Sequence, residues 1–262
     1  MLNIINVYQK ELEKRGVVCD LNTTGKIDKD YDIVHGHYSL TKPVIKAGLR
    51  SKAKGIPFII HHHGSDLRRI TEDGAKSILP HHIPVTRFVR SLADEVLMST
   101  PDLLDWGSGL YLPNPVDIDK FRPMDMEKTD RVLLFGRFAS KKALLSVLKE
   151  DEKYDILNWG VEIKLPGNVR KIPFHPHHEL PHLLNRYQRM IGSLLDPVSL
   201  ARLEAMACGL QTYTDFPKRL TVYYGFENPD HTKDPRGFVK RYHSPSKVVK
   251  LLMKIYEDIS LP

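Results

Sequence analysis

The sequence lacks any long apolar run and has only two cysteines, Cys19 and Cys208, in 262 residues. No segment approaches the roughly 18 apolar residues that indicate a transmembrane helix, so we expect no membrane span. The two cysteines lie far apart in unlike contexts, which predicts free thiols in a reducing cytoplasm. The first residues lack the basic flank and the small-residue cleavage site of a signal peptide. We therefore expect a cytoplasmic protein.

Basic residues exceed acidic ones: 39 Lys and Arg stand against 32 Asp and Glu, for a formal net charge of +7. This excess favours an anionic partner, such as a nucleotide, a phosphorylated substrate, an acidic membrane surface or nucleic acid. It is also compatible with ordinary solubility, so charge alone selects none of these partners. With 41% hydrophobic residues, a chain of this length can form one large or two small domains.

Short apolar runs of strand length alternate with helical segments, and we find no internal repeat and no low-complexity segment. Strands are predicted at 32–37, 56–61, 95–99, 110–112, 132–135, 154–157, 169–174 and 190–195. Helices are predicted at 39–54, 87–92, 142–149, 179–189, 199–207 and 245–256. The turn-rich segment 113–123 divides this alternation into two blocks, as a linker would. The pattern predicts two parallel-sheet α/β domains, residues 1–123 and 124–262.

The segment 196–209 is the most informative part of the chain. Asp196 and Glu204 lie eight residues apart around the start of a short predicted helix, with Ser199 as its N-cap and Gly209 at its end. A helix N-terminus offers amide groups and partial positive charge, which suit phosphate, and carboxylates accept hydrogen bonds from sugar hydroxyls. The pattern favours a ligand that carries phosphate and sugar together. Two solvated carboxylates at a helix start are the alternative interpretation.

Six segments of the sequence, in order, resemble motifs of one known family. They are 32–37 (D-I-V-H-x-H), 63–66 (H-G-S-D), 113–123 (P-N-G-V-D…F-x-P, a linker), 136–142 (G-R-L…K-G), 176–181 (P-H-E-E-L-P) and 196–209 (E-x7-E running into L-E-A-M-A-C-G, with Asp196 for the first Glu). Together they resemble the retaining glycosyltransferases of family four. That family has the GT-B fold, in which two Rossmann-like parallel-sheet domains face a central cleft.

The resemblance implies transfer of a sugar from a nucleotide-diphosphate sugar to an unknown acceptor, with retention of anomeric configuration. The acceptor would be a glycan, a lipid-linked molecule or a protein. The acceptor would attack the face that the leaving phosphate vacates, and that phosphate would take the proton, so no protein nucleophile is expected. The N-terminal domain would serve the acceptor side, and the C-terminal domain would bind the donor.

The implied donor site combines basic and acidic side chains. Arg137 and Lys142 suit a diphosphate whose negative charge grows in the transition state, although two solvated basic residues are the alternative. Asp196 would accept hydrogen bonds from the donor sugar, and Glu204 would accept them from the ribose. Amides near Ser199 and Leu200 would help to hold the phosphates. The basic side chains and the helix dipole supply the neutralisation, so we expect no cofactor and no required metal.

Histidine is abundant, with 13 residues. His63 matches the family's active-site histidine and could donate a hydrogen bond to the transferred sugar, or it could be a loop histidine of no consequence. His35 and His37 are expected to line the cleft rather than act in catalysis. The run 61–63 could ligate metal, but a strand alternates the faces of neighbouring residues. Neither a cysteine nor a second His-x3-His pair closes a site, so we expect no metal site.

The sequence departs from the family pattern at several points. The first strand and Gly-rich loop are missing or compressed into 1–7, and 6–15 resembles the first helix. The usual Glu-Gly-Phe-Gly turn is replaced by 196–199, where Pro197 lacks a backbone donor. Ala143 and Pro115 replace family glycines. These departures bear on the acceptor and donor sites, so activity follows less directly from the sequence than fold does.

Two other functions stay open at this stage. One is a degenerate GT-B protein that binds a nucleotide, sugar or partner without turnover. The other is a binder of nucleic acid or an acidic surface through the basic tail 233–254. That tail lacks regularly interleaved aromatic residues for base stacking, so a solvated face of a terminal helix is the better interpretation. A basic helix could also rest on anionic lipid, which leaves peripheral membrane association open.

Overall fold

The computed structural model describes residues 2–64, 66–67, 69–70, 76–77, 82–136, 144–157, 165–192 and 196–260. The chain forms two compact units. The first comprises residues 1–69, 76–115 and 246–262, and the second comprises 70–75 and 116–245. The expected boundary lay at 123/124, with the whole C-terminal part in the second domain. In the structure the chain changes units at 115/116, and its last segment returns to the first unit.

The described helices and strands follow one another in α/β order. The helices are α1 (Leu2–Glu13), α2 (Lys42–Lys54), α3 (His82–Leu92), α4 (Leu180–Asn185), α5 (Leu200–Ala207), α6 (Pro235–Tyr242) and α7 (Pro245–Ser260). The strands are β1 (Val34–His37), β2 (Phe58–His62), β3 (Arg69–Ile70), β4 (Lys76–Ser77), β5 (Glu95–Met98), β6 (Leu110–Tyr111), β7 (Val132–Phe135), β8 (Tyr154–Leu157), β9 (Val169–Lys171), β10 (Arg189–Ile191) and β11 (Gln211–Tyr213). Short 3₁₀ helices span Pro101–Trp106 and Lys218–Tyr224.

Each unit contains one parallel sheet. The sheet of the first unit has the strand order β1-β2-β5-β6, and that of the second has the order β11-β10-β7-β8-β9. Every pairing in both sheets is parallel. Parallel strands need crossover connections, and helices α2, α3, α4 and α5 lie in such connections. The expected pair of parallel-sheet α/β domains is confirmed.

Helices cover both faces of the first sheet, so the interior strand β2 is buried along its whole length. On one face, α1 and α7 pack with the sheet around Ile59 and Leu97, both fully buried. On the other face, Phe58 and Ile60 pack with residues of α2 and α3. Full burial of each such side chain stabilises the fold by about 1.5–3 kcal/mol relative to exposure. The last helix therefore completes the core of the first unit.

Several sequence expectations change in detail. Residues 2–13 are helical, so a first strand compressed into 1–7 is ruled out for the described residues 2–7. The helix predicted over 142–149 does not continue through 146–149, and its first two residues lie outside the described part. The helix predicted at 179–189 is shorter in the structure. It ends at Asn185, and β10 begins at Arg189. Among the described helices, none is both long and apolar enough to cross a bilayer.

Candidate functional site

The acidic segment lies where the sequence placed it, at the start of α5, and four residues separate it from the interior strand β10. Ser199 is the N-cap: its Oγ accepts the backbone N–H of Arg202 at 3.2 Å. Asp196 is half-buried three residues before the cap, and its carbonyl accepts the amide of Ser199. Gly209, with φ of 89°, ends the helix in a conformation that glycine adopts without strain. The turn and the N-terminus of α5 thus lie at the carboxyl end of the sheet, where α/β proteins bind ligands.

A buried arginine, Arg202, donates a hydrogen bond to the backbone of this turn. Arg202 is fully buried, and its guanidinium forms an ion pair with Asp230. It also donates to the hydroxyls of Thr212 and Thr214 and to the carbonyl of Pro197. Burial lowers the pKa of Arg202, and the charge of Asp230 opposes that shift. Arg202 therefore fixes the backbone between the two acidic positions from inside the second unit.

Glu204 lies one turn inside α5 and is 4% exposed. Its Oε1 lies 2.7 Å from Nε2 of His177, which belongs to the segment before α4. The other ring nitrogen, Nδ1, lies 2.9 Å from Nζ of Lys120. If the Lys120 ammonium donates to Nδ1, His177 is neutral and donates its Nε2–H to the carboxylate. The three residues come from the linker, the 176–181 motif and the acidic motif, so the fold brings three of the sequence motifs together.

The environment of Glu204 shifts its pKa above the ordinary value. Burial raises the pKa of Glu204, and the hydrogen bond from His177 only partly offsets this effect.

Leu200, the first residue of α5, is half-buried on the same turn as Ser199. Asp196, Ser199 and Leu200 thus lie at the start of α5, and Glu204 lies one turn further along it. Arg137 and Lys142 lie outside the described residues; the described chain of this segment stops at Gly136, directly after β7.

His63 follows β2 in the first unit, in a tightly bonded turn. Its backbone N–H donates to Oδ1 of Asp66 at 3.1 Å. The Oδ2 of that carboxylate accepts from Nδ1 of His62 at 2.7 Å and from the amide of Ser39 at 3.1 Å. Burial would raise the pKa of Asp66, but these bonds lower it overall. Tyr38, with φ of 68°, stacks on His63 at a centroid separation of 4.9 Å.

Four histidine rings gather at the carboxyl ends of β1 and β2. His37 pairs in register with His61, and His35 and His63 follow the same alternation on their own strands. Adjacent centroids lie 4.4 Å apart for His35 and His37 and 4.3 Å apart for His61 and His63. The alternation within 61–63 does put His62 on the other face, where it bonds to Asp66. The sequence argument missed that two paired strands can supply histidines at i and i+2 to one face.

His61 is fully buried, whereas His35, His37 and His63 are half-buried. Burial lowers the pKa of His35 to about 3 and that of His63 to about 4. Burial also lowers the pKa values of His37 and His61 well below the usual range, and the neighbouring histidines lower them further. Donor atoms of His35, His37 and His61 lie within 4.8 Å of one another, which is a possible metal-ligand set.

No family model matches the chain, and no curated protein sequence matches it significantly. Among solved structures, HepE of Anabaena in complex with UDP aligns with a TM-score of 0.57 at 10% identity, over 97% of this chain and 82% of that chain. UDP-GlcNAc 2-epimerase from Neisseria meningitidis, bound to UDP-GlcNAc, aligns at 14% identity over 97% and 79% of the two chains, with a TM-score of 0.44. MurG from Acinetobacter baumannii gives 0.36 at 14% identity over 98% and 70%. Of these three structures, HepE alone has a TM-score above 0.5, so the fold comparison rests on HepE. This likeness shows the fold, and the GT-B class expected from the sequence is confirmed.

Proposed function

We propose that the chain is a nucleotide-sugar-dependent glycosyltransferase whose second unit binds the donor. The observation that carries this proposal is the placement of Asp196 and Ser199 at the N-terminus of α5, with Glu204 one turn inside the same helix. This end of the helix follows the interior parallel strand β10, and its amides and dipole suit the diphosphate. The likeness in fold to HepE, which was solved with UDP, supports a uridine nucleotide as the first donor to test.

The residues are assigned roles on this basis. Arg137 and Lys142 neutralise the diphosphate, Asp196 binds the donor sugar, and Glu204 binds the ribose. The amides of Leu200 and its neighbours hold the phosphates, with Ser199 fixing the helix start. His63, in the first unit, keeps the role that the family resemblance implies, a hydrogen bond to the transferred sugar. We assign no metal and no cofactor to the donor site, because the basic side chains and the helix dipole supply the positive charge.

The proposed reaction retains anomeric configuration, as in family four. The acceptor oxygen forms a bond to C1 of the donor sugar while the bond from C1 to the diphosphate oxygen breaks. The electron pair of the broken bond stays on the leaving nucleoside diphosphate, whose phosphate oxygen takes the acceptor's proton. Arg137 and Lys142 stabilise the growing charge, which is the main electrostatic requirement of this step.

A direct test is to incubate the protein with UDP-, GDP- and ADP-sugars and a panel of glycan, lipid-linked and protein acceptors. Release of nucleoside diphosphate that depends on one acceptor supports the proposal, and NMR of the product gives its anomeric configuration. Release should fall by at least about 100-fold in Arg137→Ala, the loss expected for one transition-state contact. A product with inverted anomeric configuration would contradict retention but not glycosyl transfer itself. No release with any pair would contradict the enzyme proposal.

A second function is supported by one observation. Glu204 is almost fully buried and already hydrogen-bonded to His177, so it offers little free acceptor surface to a ribose. A protein that binds the nucleotide or a partner without turnover is therefore the alternative. Nucleotide binding without transfer to any acceptor would favour it.

A further inference from the structure

We propose that His35, His37 and His61 bind a divalent transition-metal ion such as Zn²⁺ in the first unit. The site is separate from the proposed donor site, which belongs to the second unit. Its ligands come from two adjacent parallel strands rather than from one sequence motif. This explains why the spacing of histidines along the chain gives no indication of it.

The positions of the ring nitrogens carry the proposal. One donor atom from each of the three residues lies within 4.8 Å of the other two. In a tetrahedral zinc site, with Zn–N bonds of about 2.0–2.1 Å, ligand nitrogens are about 3.4 Å apart. Rotation about the side-chain torsions would close that difference without a change in the sheet. His61 and His35 are on neighbouring strands, so the backbone already fixes their spacing.

Buried ring nitrogens without hydrogen-bond partners independently support a metal site. Both ring nitrogens of His61 and Nε2 of His35 are buried, and none of these atoms has a hydrogen-bond partner among the described residues. His61 is fully buried, with no exposed side-chain surface. A buried polar group without a partner destabilises the fold. A metal ion would satisfy one nitrogen from each ring at once.

The surrounding hydrogen bonds can select the tautomers that a metal needs. Nδ1 of His35 lies 2.8 Å from the hydroxyl of Tyr256, and Nδ1 of His37 lies 2.9 Å from Nε2 of His63. If each Nδ1–H donates to its neighbour, each Nε2 keeps its lone pair for the metal. Ligating histidines commonly use this arrangement, in which the second nitrogen donates to an outer partner.

The ligand set indicates the class of metal. Three imidazoles without carboxylate or thiolate suit Zn²⁺, Cu²⁺, Ni²⁺ or Fe²⁺ rather than Mg²⁺ or Ca²⁺, which prefer oxygen. A site with three protein ligands leaves a fourth position for water or another oxygen ligand. The spacing of the histidines and cysteines predicted no metal site, so this proposal departs from that expectation.

The test uses the full chain after treatment with a chelator. Calorimetry with Zn²⁺ should show one tight site per chain, and Co²⁺ should give the visible absorption of a four-coordinate ion. His61→Leu should weaken Zn²⁺ affinity by more than about 100-fold, since even outer-shell changes weaken it by 10–100-fold. Tyr256→Phe, an outer-shell change, should weaken it by about 10-fold. His178→Leu, the same substitution at an exposed histidine, should leave affinity unchanged.

X-ray absorption of the Zn²⁺-loaded wild-type protein needs no variant, so it decides the question even if His61→Leu does not fold. Three imidazole nitrogens at about 2.0 Å from the metal support the proposal. A shell with fewer than three imidazoles, affinity unchanged in a folded His61→Leu protein, or no stoichiometric binding would each overturn it.

Discussion

Nε2 of His177 lies 2.7 Å from Oε1 of Glu204, although the two residues are 27 positions apart in the sequence. The contact joins the segment before α4 to the acidic helix α5. It has a consequence for binding, because a nucleotide ribose would compete with His177 for the same carboxylate. His177 is therefore a positioning residue in this account. It holds Glu204 in one orientation until a ligand takes its place.

Glu204→Ala should weaken nucleotide binding by about 10- to 150-fold, since hydrogen bonds to a charged group contribute about 1.5–3 kcal/mol. Titration calorimetry with UDP, GDP and ADP measures this change. Glu179→Ala removes an exposed carboxylate from the segment before α4 and serves as the matched control. Equal affinity in the Glu204→Ala and wild-type proteins would remove Glu204 from the site.

Arg202→Met should lower the free energy of unfolding by about 3–5 kcal/mol, because Asp230 would stay buried without its cation. Urea unfolding measures the loss. The double variant Arg202→Met/Asp230→Asn should recover part of it, since no uncompensated charge remains. A loss below about 1 kcal/mol in the single variant would contradict the assignment of Arg202 as the support of the acidic turn.

Asp66→Asn should destabilise the protein by about 1–3 kcal/mol at neutral pH, because Asp66 accepts bonds from two backbone amides and a histidine. The pKa of Asp66 is lowered in the folded protein, so its stabilising contribution is present above the ordinary value of 3.8. That contribution is lost as the pH falls through the folded pKa. Unfolding of both proteins from pH 7 to pH 2.5 should show their stabilities converging at low pH. A constant difference would contradict this.

The sequence predicted much of the fold, because strand-length apolar runs and capping residues are local signals. Ser199 and Gly209 begin and end α5 as expected, since cap preferences depend on a few neighbouring residues. The division into units was less accurate. The return of α7 to the first unit depends on the contacts of Val248 and Leu252 with distant residues, which no local pattern encodes.

The candidate site shows the same difference between local and distant signals. Asp196 and Glu204 could be chosen from spacing alone, because both belong to one helix start. Arg202 and Asp230 could not, because their ion pair joins positions 28 residues apart. Lys120 had no signal beyond its place in the linker motif. The histidine cluster could not be predicted without the register of β1 and β2. Alternation within one strand places only two of the four histidines on a common face.

Thermal stabilisation by nucleotides tests the central claim most directly. We would measure unfolding with UDP, GDP and ADP for the wild-type protein, Arg137→Ala and the exposed control Arg186→Ala. At 100 times Kd, a ligand should stabilise the wild type by about 2.7 kcal/mol, and each kcal/mol raises Tm by about 2–4 °C in a protein of this size. The account predicts a clear shift with one nucleotide in the wild type and in Arg186→Ala, and a much smaller shift in Arg137→Ala. No shift with any nucleotide, or an equal shift in all three proteins, would contradict the proposed donor site.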